Sequence, residues 1–296
     1  MFDFGNLITA MVTPFTDTLE VDYKRMQELA IKLIEEKSTG LLISGTTGES
    51  PTLSQEEKLK LLTAVKEVVK GKVPIMLGTG SYNTRESIHF SKLAEELGAD
   101  ALLLVNPYYN KPDQRGLYEH FKAIANSVSL PIVLYNHPGR TGVTIEPQTL
   151  IKLAKIDNIV GLKDSSGSLD LVSQYIKSVP KDFKIYSGDD PLNLPMQCLG
   201  ASGAISVASH IAGREISELL SAIDKGDLEK AREIHYSLYD LYKVLFCSPS
   251  PSPTKTALKI MGFPVGGVRL PLTELTEEKY NKVELILNKF KETYRK

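Results

Sequence analysis

Residues 74–106, PIMLGTGSYNTRESIHFSKLAEELGADALLLVN, decide the fold. The segment opens on a short apolar run at 74–78 and closes on another at 101–106. Between them Ile88, Ser91, Leu93 and Ala94 recur at helical spacing. Asn83-Thr84 ahead of Glu86 signs the start of that helix, and Gly98 sits where its C-terminus needs a left-handed residue. Strand, helix and strand in this order, with near-continuous apolar strands, describe a parallel unit buried on both faces.

The same unit recurs along the chain. Candidate strands lie at 7–13, 40–44, 74–78, 101–106, 132–136, 159–163, 184–187 and 204–207. Met26, Leu29, Ala30, Leu33 and Ile34 mark one further helix; Leu59, Leu62, Val65 and Val69 mark another. Ser54 with Glu57 three residues on gives the latter a capping box, and Gly71 marks its end. An open doubly wound sheet alternates in the same way. After the first strand, however, come Pro14, Phe15 and Thr16 in place of a glycine-rich dinucleotide fingerprint. Eight units in about 225 residues fit a closed (β/α)8 TIM barrel. Only helical pattern follows, at 228–246, 254–261 and 277–294, punctuated by Pro249, Pro251, Pro253 and Phe263-Pro264. The expected organisation is a barrel over residues 1–226 and a C-terminal helical extension over 227–296.

Composition removes several function classes. The 296 residues carry 35 basic and 36 acidic side chains, so the net charge of -1 offers no long-range pull toward nucleic acid or a membrane surface. With 42% hydrophobic and 24% charged residues the chain is ordinary globular material. Cys198 and Cys247 are too few to form a disulfide framework, and without CxxC, HExxH or a Cys/His cluster no metal site is expected. Asp3 precedes the first apolar run and Pro14 closes it, so no secretory signal is expected; no apolar stretch approaches the ~20 residues of a membrane span. The expected location is the cytoplasm, with reduced thiols.

In such a barrel the active site lies at the C-terminal ends of the strands. Lys163 closes the apolar run Asn158-Ile-Val-Gly-Leu-Lys163. Desolvation there lowers an amine's pKa and frees it to attack a carbonyl; the same position also suits a solvated lysine or a buried ion pair. Tyr135, ending the neighbouring strand, brings a phenol able to shuttle the protons of imine formation, although a lone strand tyrosine is commonly core. The Gly45-Thr46-Thr47-Gly48 turn offers hydroxyls and backbone N–H groups to a carboxylate, or simply caps a helix. Arg140, in a loop between Gly139 and Thr141, suits a second carboxylate, or plain solvent.

Taken together, GTTGES at 45–50, PYYNKP at 107–112, LYNHPGRTG at 134–142 and GLKDSSG at 161–167 resemble the dihydrodipicolinate synthase and N-acetylneuraminate lyase family. YSGDD at 186–190, GAISV at 203–207 and RLPL at 269–272 extend the resemblance over essentially the whole chain. The family's members are barrel aldolases that form a Schiff base with pyruvate. The resemblance implies that Lys163 forms the imine, Tyr135 is the proton donor and acceptor, and Thr46 relays protons between Tyr135 and Tyr109. It also implies that Thr47 holds the pyruvate carboxylate, Ile205 lines the site through its carbonyl, and Arg140 takes the carboxylate of the second substrate. Tyr109 reaches the neighbouring subunit in this family, which implies a homodimer, assembled as a dimer-of-dimers tetramer. No cofactor beyond the covalent imine is implied.

The resemblance is closest to the family's lysine-pathway synthases, which condense pyruvate with L-aspartate 4-semialdehyde to 4-hydroxy-tetrahydrodipicolinate. Two departures point toward the sugar-acid aldolases, which cleave 2-keto-3-deoxy acids or 4-hydroxy-2-oxo acids. Lys163-Asp164-Ser165-Ser166 replaces lysine, glutamate, alanine, and His137 replaces an apolar residue. Arg140 favours the synthase, because a short aldehyde with its own carboxylate needs a guanidinium where a polyol needs hydroxyl partners. A non-catalytic barrel that binds small molecules is the alternative of another class. Gln55, Lys58 and Tyr82 stand where lysine-inhibited synthases carry two histidines and an asparagine, so weak lysine feedback is expected. The Pro/Ser run at 248–253 replaces an asparagine-proline-x-proline pattern and has no evident role in the sequence.

Overall fold

A computed structural model describes residues 4–295. Its strands are β1 (Leu7–Ala10), β2 (Gly40–Ile43), β3 (Ile75–Gly78), β4 (Ala101–Val105), β5 (Ile132–Asn136), β6 (Ile159–Asp164), β7 (Lys184–Ser187) and β8 (Gly203–Ser206). Each pairs in parallel with the next, and β8 returns to β1 with Leu7 opposite Ala204, which closes the barrel. The eight expected strands are all present; β5 and β7 have the expected ends and the other six are shifted at one or both ends. β1 stops short of residue 13 because the chain leaves the sheet after Met11, and the Val12 N–H is donated to His210 Nε2 at 3.1 Å. β6 runs one residue further than expected, since Asp164 pairs with both Asn136 and Ser187.

Side chains alternate across each strand, so one set fills the barrel axis and the other meets the helices. Ile8, Leu42, Met76, Leu103, Val133 and Ile205 belong to the axial cluster, and Leu41, Leu77, Leu104, Leu134 and Leu162 to the outer one. Each fully buried leucine of that outer layer contributes roughly 1.5–3 kcal/mol. One irregularity sets the register that matters for chemistry. Ile132 pairs with Ile159 but Val133 pairs with Gly161, so Val160 is an extra residue in β6. As a result Tyr135 lies opposite Lys163. Without the bulge it would face Leu162, whose side chain belongs to the outer layer.

Outside the strands run α1 (Tyr23–Glu35), α2 (Gln55–Val69), α3 (Thr84–Glu96), α4 (Gln114–Ala125), α5 (Pro138–Thr141), α6 (Pro147–Leu153), α7 (Leu169–Ser178), α8 (Asn193–Cys198) and α9 (Ser209–Asp224). The Ser54–Glu57 capping box forms at the start of α2, and Asn83 caps α3 by accepting from the Arg85 and Glu86 N–H groups. Gly98 takes a φ of +73°, ending α3 as its position requires. The C-terminal region supplies α10 (Leu228–Val244), α11 (Ser252–Ile260) and α12 (Glu277–Tyr294). α10 packs on α9 and α12, and Leu238, Leu241, Val283 and Leu287 join the outer core. Cys198 and Cys247 are free thiols. Among the described residues no helix is long and apolar enough to cross a membrane.

Candidate active site

Short strands and the β6 bulge bring Lys163 and Tyr135 side by side, both turned to the axis at the barrel mouth. Lys163 is only 5% exposed, and its Nζ lies 4.4 Å from the centroid of the Tyr135 ring. Burial lowers the Lys163 amine to about 8; the Asp190 carboxylate opposes that shift and the Arg140 charge adds to it. Burial raises the Tyr135 phenol, while the Ser165 hydroxyl, Arg140 and the Thr46 hydroxyl pull the other way. At neutral pH the pair therefore offers an amine that deprotonates readily beside a phenol that keeps its proton.

Thr46 and Thr47 arrive on the turn after β2. The Gly48 N–H donates to the Gly45 carbonyl at 3.1 Å, and the Glu49 N–H to the Thr46 carbonyl at 3.1 Å. A Cβ on Gly48 would stand 3.1 Å from the Met11 carbonyl oxygen and 3.2 Å from the Ser44 nitrogen, so glycine lets the turn close against the residues that follow β1 and β2. Arg140 rides on α5, which starts at Pro138 and ends in left-handed Gly142. Thr46, Thr47, Tyr135, Arg140 and Lys163 together line a cavity of about 40 Å³. A second cavity of about 270 Å³ leads from Thr46, Tyr135 and Arg140 outward past Tyr108 and Ser81 to Lys58.

Two of the sequence-derived residues are not among those lining the two cavities. Ile205 is fully buried in the axial cluster and lines neither cavity. Tyr109 is 90% exposed on a left-handed backbone, φ +68°, and lines neither cavity. Tyr82 meets Tyr108 edge to face, with ring centroids 5.1 Å apart.

Several residues at the mouth were not assigned to catalysis or binding from the sequence. A Cβ on Gly188 would stand 2.2 Å from Ser165 Oγ and 2.7 Å from Lys163 Cε, so this glycine makes the room in which the lysine sits. Ser165 Oγ is buried near the phenol without completing a hydrogen bond. His137 lines the smaller cavity with its ring 5.8 Å from that of Tyr135. Burial, with Arg140 and Lys163 nearby, lowers it to about 4, so it stays neutral at pH 7. Phe246 and Ser250 close the cavity from the C-terminal region, which gives the Pro/Ser run a place at the site. The SGDD and SPSP stretches were the available signals, but only tertiary packing assigns them to this cavity. Asp190 accepts from Ser206 Oγ at 2.5 Å, from the Val207 N–H at 3.0 Å and from the Ala208 N–H at 2.8 Å, which ties the ends of β7 and β8 together.

Residues 3–290 match the model of the dihydrodipicolinate synthetase family. The chain belongs to that family. The 4-hydroxy-tetrahydrodipicolinate synthase of Heliobacterium modesticaldum is 49% identical to it, over 97% of this chain and 96% of its own length. That of Listeria welshimeri is 51% identical over 96% and 98%. The crystal structure of the Bacillus anthracis dihydrodipicolinate synthase superposes with a TM-score of 0.96 at 47% identity, covering 97% of this chain and 99% of that one. In this member of the dihydrodipicolinate synthetase family, the polar groups lining the smaller cavity around Lys163 include hydroxyls, an imidazole and a guanidinium. Among the described residues no group of three or more His, Cys, Asp or Glu is placed to hold a metal ion.

Proposed function

We propose that the chain is a pyruvate-dependent lyase that condenses pyruvate with L-aspartate 4-semialdehyde to 4-hydroxy-tetrahydrodipicolinate. The observation that carries the site assignment is the in-register pair of buried Lys163 and Tyr135. The neutral Lys163 amine attacks the ketone of pyruvate, whose carboxylate sits on the Thr46-Thr47 turn. Tyr135 donates the proton with which the carbinolamine loses water. The resulting imine draws electrons from the methyl group, which gives up a proton and becomes an enamine carbon nucleophile. Arg140 holds the semialdehyde carboxylate bidentately while that carbon attacks the aldehyde. The semialdehyde's own amine then closes on the imine carbon and displaces Lys163. One water leaves, and the covalent imine is the electron sink, with no further cofactor.

Tyr109 supports a homo-oligomer. A large aromatic almost wholly exposed on strained backbone is poorly placed for a monomer, and in the proposed dimer it enters the neighbouring site to complete the relay with Thr46. Dimers pair further into a tetramer, as the resemblance implies. We assign residues 1–226 to the catalytic barrel and 227–296 to the helical region, and place the enzyme in the cytoplasm.

Ser165, Ser166 and His137 are the residues that would favour a sugar-acid aldolase instead, so the deciding experiment is a panel of aldehydes. The protein with pyruvate is expected to consume aspartate semialdehyde far faster than any polyol aldehyde. Preferential turnover of a polyol aldehyde or of a 2-keto-3-deoxy acid overturns the assignment. Borohydride reduction with pyruvate alone should leave a mass-shifted Lys163, and a non-catalytic barrel would give no adduct.

Feedback is a separate outcome. Lys58 is half-buried and lines the larger cavity beside Tyr108, where its charge repels an ammonium ligand. Millimolar L-lysine is expected to leave the rate unchanged, and sub-millimolar inhibition in the purified enzyme would contradict that expectation.

A further inference from the structure

The turn that carries Thr46 and Thr47 ends in Glu49, a non-glycine residue at φ +55° whose side chain is fully buried. Left-handed backbone disfavours glutamate by roughly 1–2 kcal/mol, so the surrounding contacts hold it there. Its main chain is tied to the turn, with the N–H donated to the Thr46 carbonyl at 3.1 Å. Its carboxylate is held from two places in the C-terminal region. Lys255 Nζ, on α11, stands 2.7 Å from Oε1, and the Arg269 backbone N–H donates to Oε2 at 3.0 Å.

Both partners are themselves fixed. Lys255 is 4% exposed, donates to the Gly267 carbonyl at 2.6 Å and lies 4.1 Å from the centroid of the Phe15 ring. Arg269 donates to the Thr52 carbonyl at 2.9 Å and to both Glu57 oxygens, at 3.0 and 2.6 Å, and its guanidinium lies 4.6 Å from the centroid of the same Phe15 ring. RLPL, which the chemistry above leaves without a task, thereby locks the segment that follows the turn.

We propose that Glu49 and Lys255 are positioning residues: their buried pair lets the C-terminal region set the placement of the Thr46-Thr47 turn, and through it the affinity for the pyruvate carboxylate. The inference rests on the assignment of that turn to pyruvate. A pair retained only for stability is a poor alternative on energetic grounds. Burying both charges carries a large desolvation penalty, and replacing such a pair by well-packed hydrophobic side chains of similar volume is often neutral or stabilising. The carboxylate touches no substrate position, so its effect travels through the Glu49–Thr46 main-chain bond.

The test is the Glu49→Gln/Lys255→Met double variant, assayed as the full-length enzyme with steady-state kinetics and thermal melting. The expected result is a pyruvate KM raised about tenfold with kcat at saturating pyruvate within about twofold of the parent, because ground-state and transition-state binding fall together. The aldehyde KM and the melting temperature should stay close to the parent values. An unchanged pyruvate KM, whether the protein melts lower or not, overturns the proposal and leaves the pair a structural staple. If the double variant does not fold, Lys255→Gln decides, since it keeps a donor for Gly267 while removing the charge. A raised pyruvate KM supports positioning and a parental KM overturns it. Borohydride trapping on the unmutated enzyme separates the two levels. No Lys163 adduct there overturns the Schiff-base assignment itself, whereas an adduct with parental KM in the variants overturns only the positioning role.

Discussion

Lys163→Met should lose catalysis by about four orders of magnitude or more and yet melt at a higher temperature than the parent. The loss follows from removing the only group proposed to form the imine, and borohydride with pyruvate should then leave no adduct at position 163. The stability gain follows from linkage. The Lys163 amine is lowered from 10.5 to about 8, chiefly by burial. A base whose folded pKa lies below its unfolded value penalises the native state whenever it is charged. That penalty is full below pH 8 and fades as pH rises toward 10.5. A shift of this size corresponds to about 3 kcal/mol, and methionine fills the same volume without a charge. The melting advantage of Lys163→Met should therefore be several degrees at pH 7 and shrink toward pH 10. A variant that melts lower than the parent at pH 7 would mean that the lysine is well solvated or well paired, and the basis for its low pKa would fall. Such a result would also remove the reason for activity at neutral pH, where roughly a tenth of an amine with pKa near 8 is neutral.

The same lysine shows how far the residues speak before the structure is known. The barrel was legible because most strands are short apolar runs, as a parallel sheet covered on both faces requires, and because eight strand–helix units without a glycine-rich fingerprint after the first strand fit closure better than an open sheet. Helix starts at Ser54 and Asn83 were legible because capping is local chemistry. Strand ends were less so. Whether Thr13 belongs to β1 depends on His210, a residue nearly two hundred positions away, which takes the Val12 N–H. At the site, Lys163 and Tyr135 could be named from their place at the ends of successive strands. Their facing each other could not, because it depends on one extra residue, Val160, in an unremarkable run of Ile, Val, Gly and Leu. Gly188 was visible only as part of a motif; the nearness of Ser165 and Lys163 explains why no side chain fits there. Phe246 and Ser250 were out of reach for a different reason. They enter the mouth from a segment that follows the whole barrel, and no periodicity encodes that approach.

Tyr135→Phe should lower kcat by about 10²–10³ while still permitting a borohydride-trapped pyruvate adduct on Lys163, formed more slowly. The phenol is raised by burial, so it is protonated across the working pH range and serves as a donor before it serves as an acceptor. Without it the carbinolamine can still lose water by borrowing a solvent proton, but the later steps lose their nearest relay at Thr46. Substrate affinity should change little, since the carboxylates are assigned to the Thr46-Thr47 turn and to Arg140. The fall should therefore appear in kcat and in kcat/KM alike, the signature of a group used in the transition state. The stability change should be small. Phenylalanine keeps the ring against Lys163, and the lost hydroxyl has Thr46 for company but lies beside a Ser165 whose own hydrogen bond is not formed. Retention of more than a tenth of the parental kcat would take Tyr135 out of the proton path. The relay would then have to start from the neutral imidazole of His137, the other titratable ring lining the same cavity.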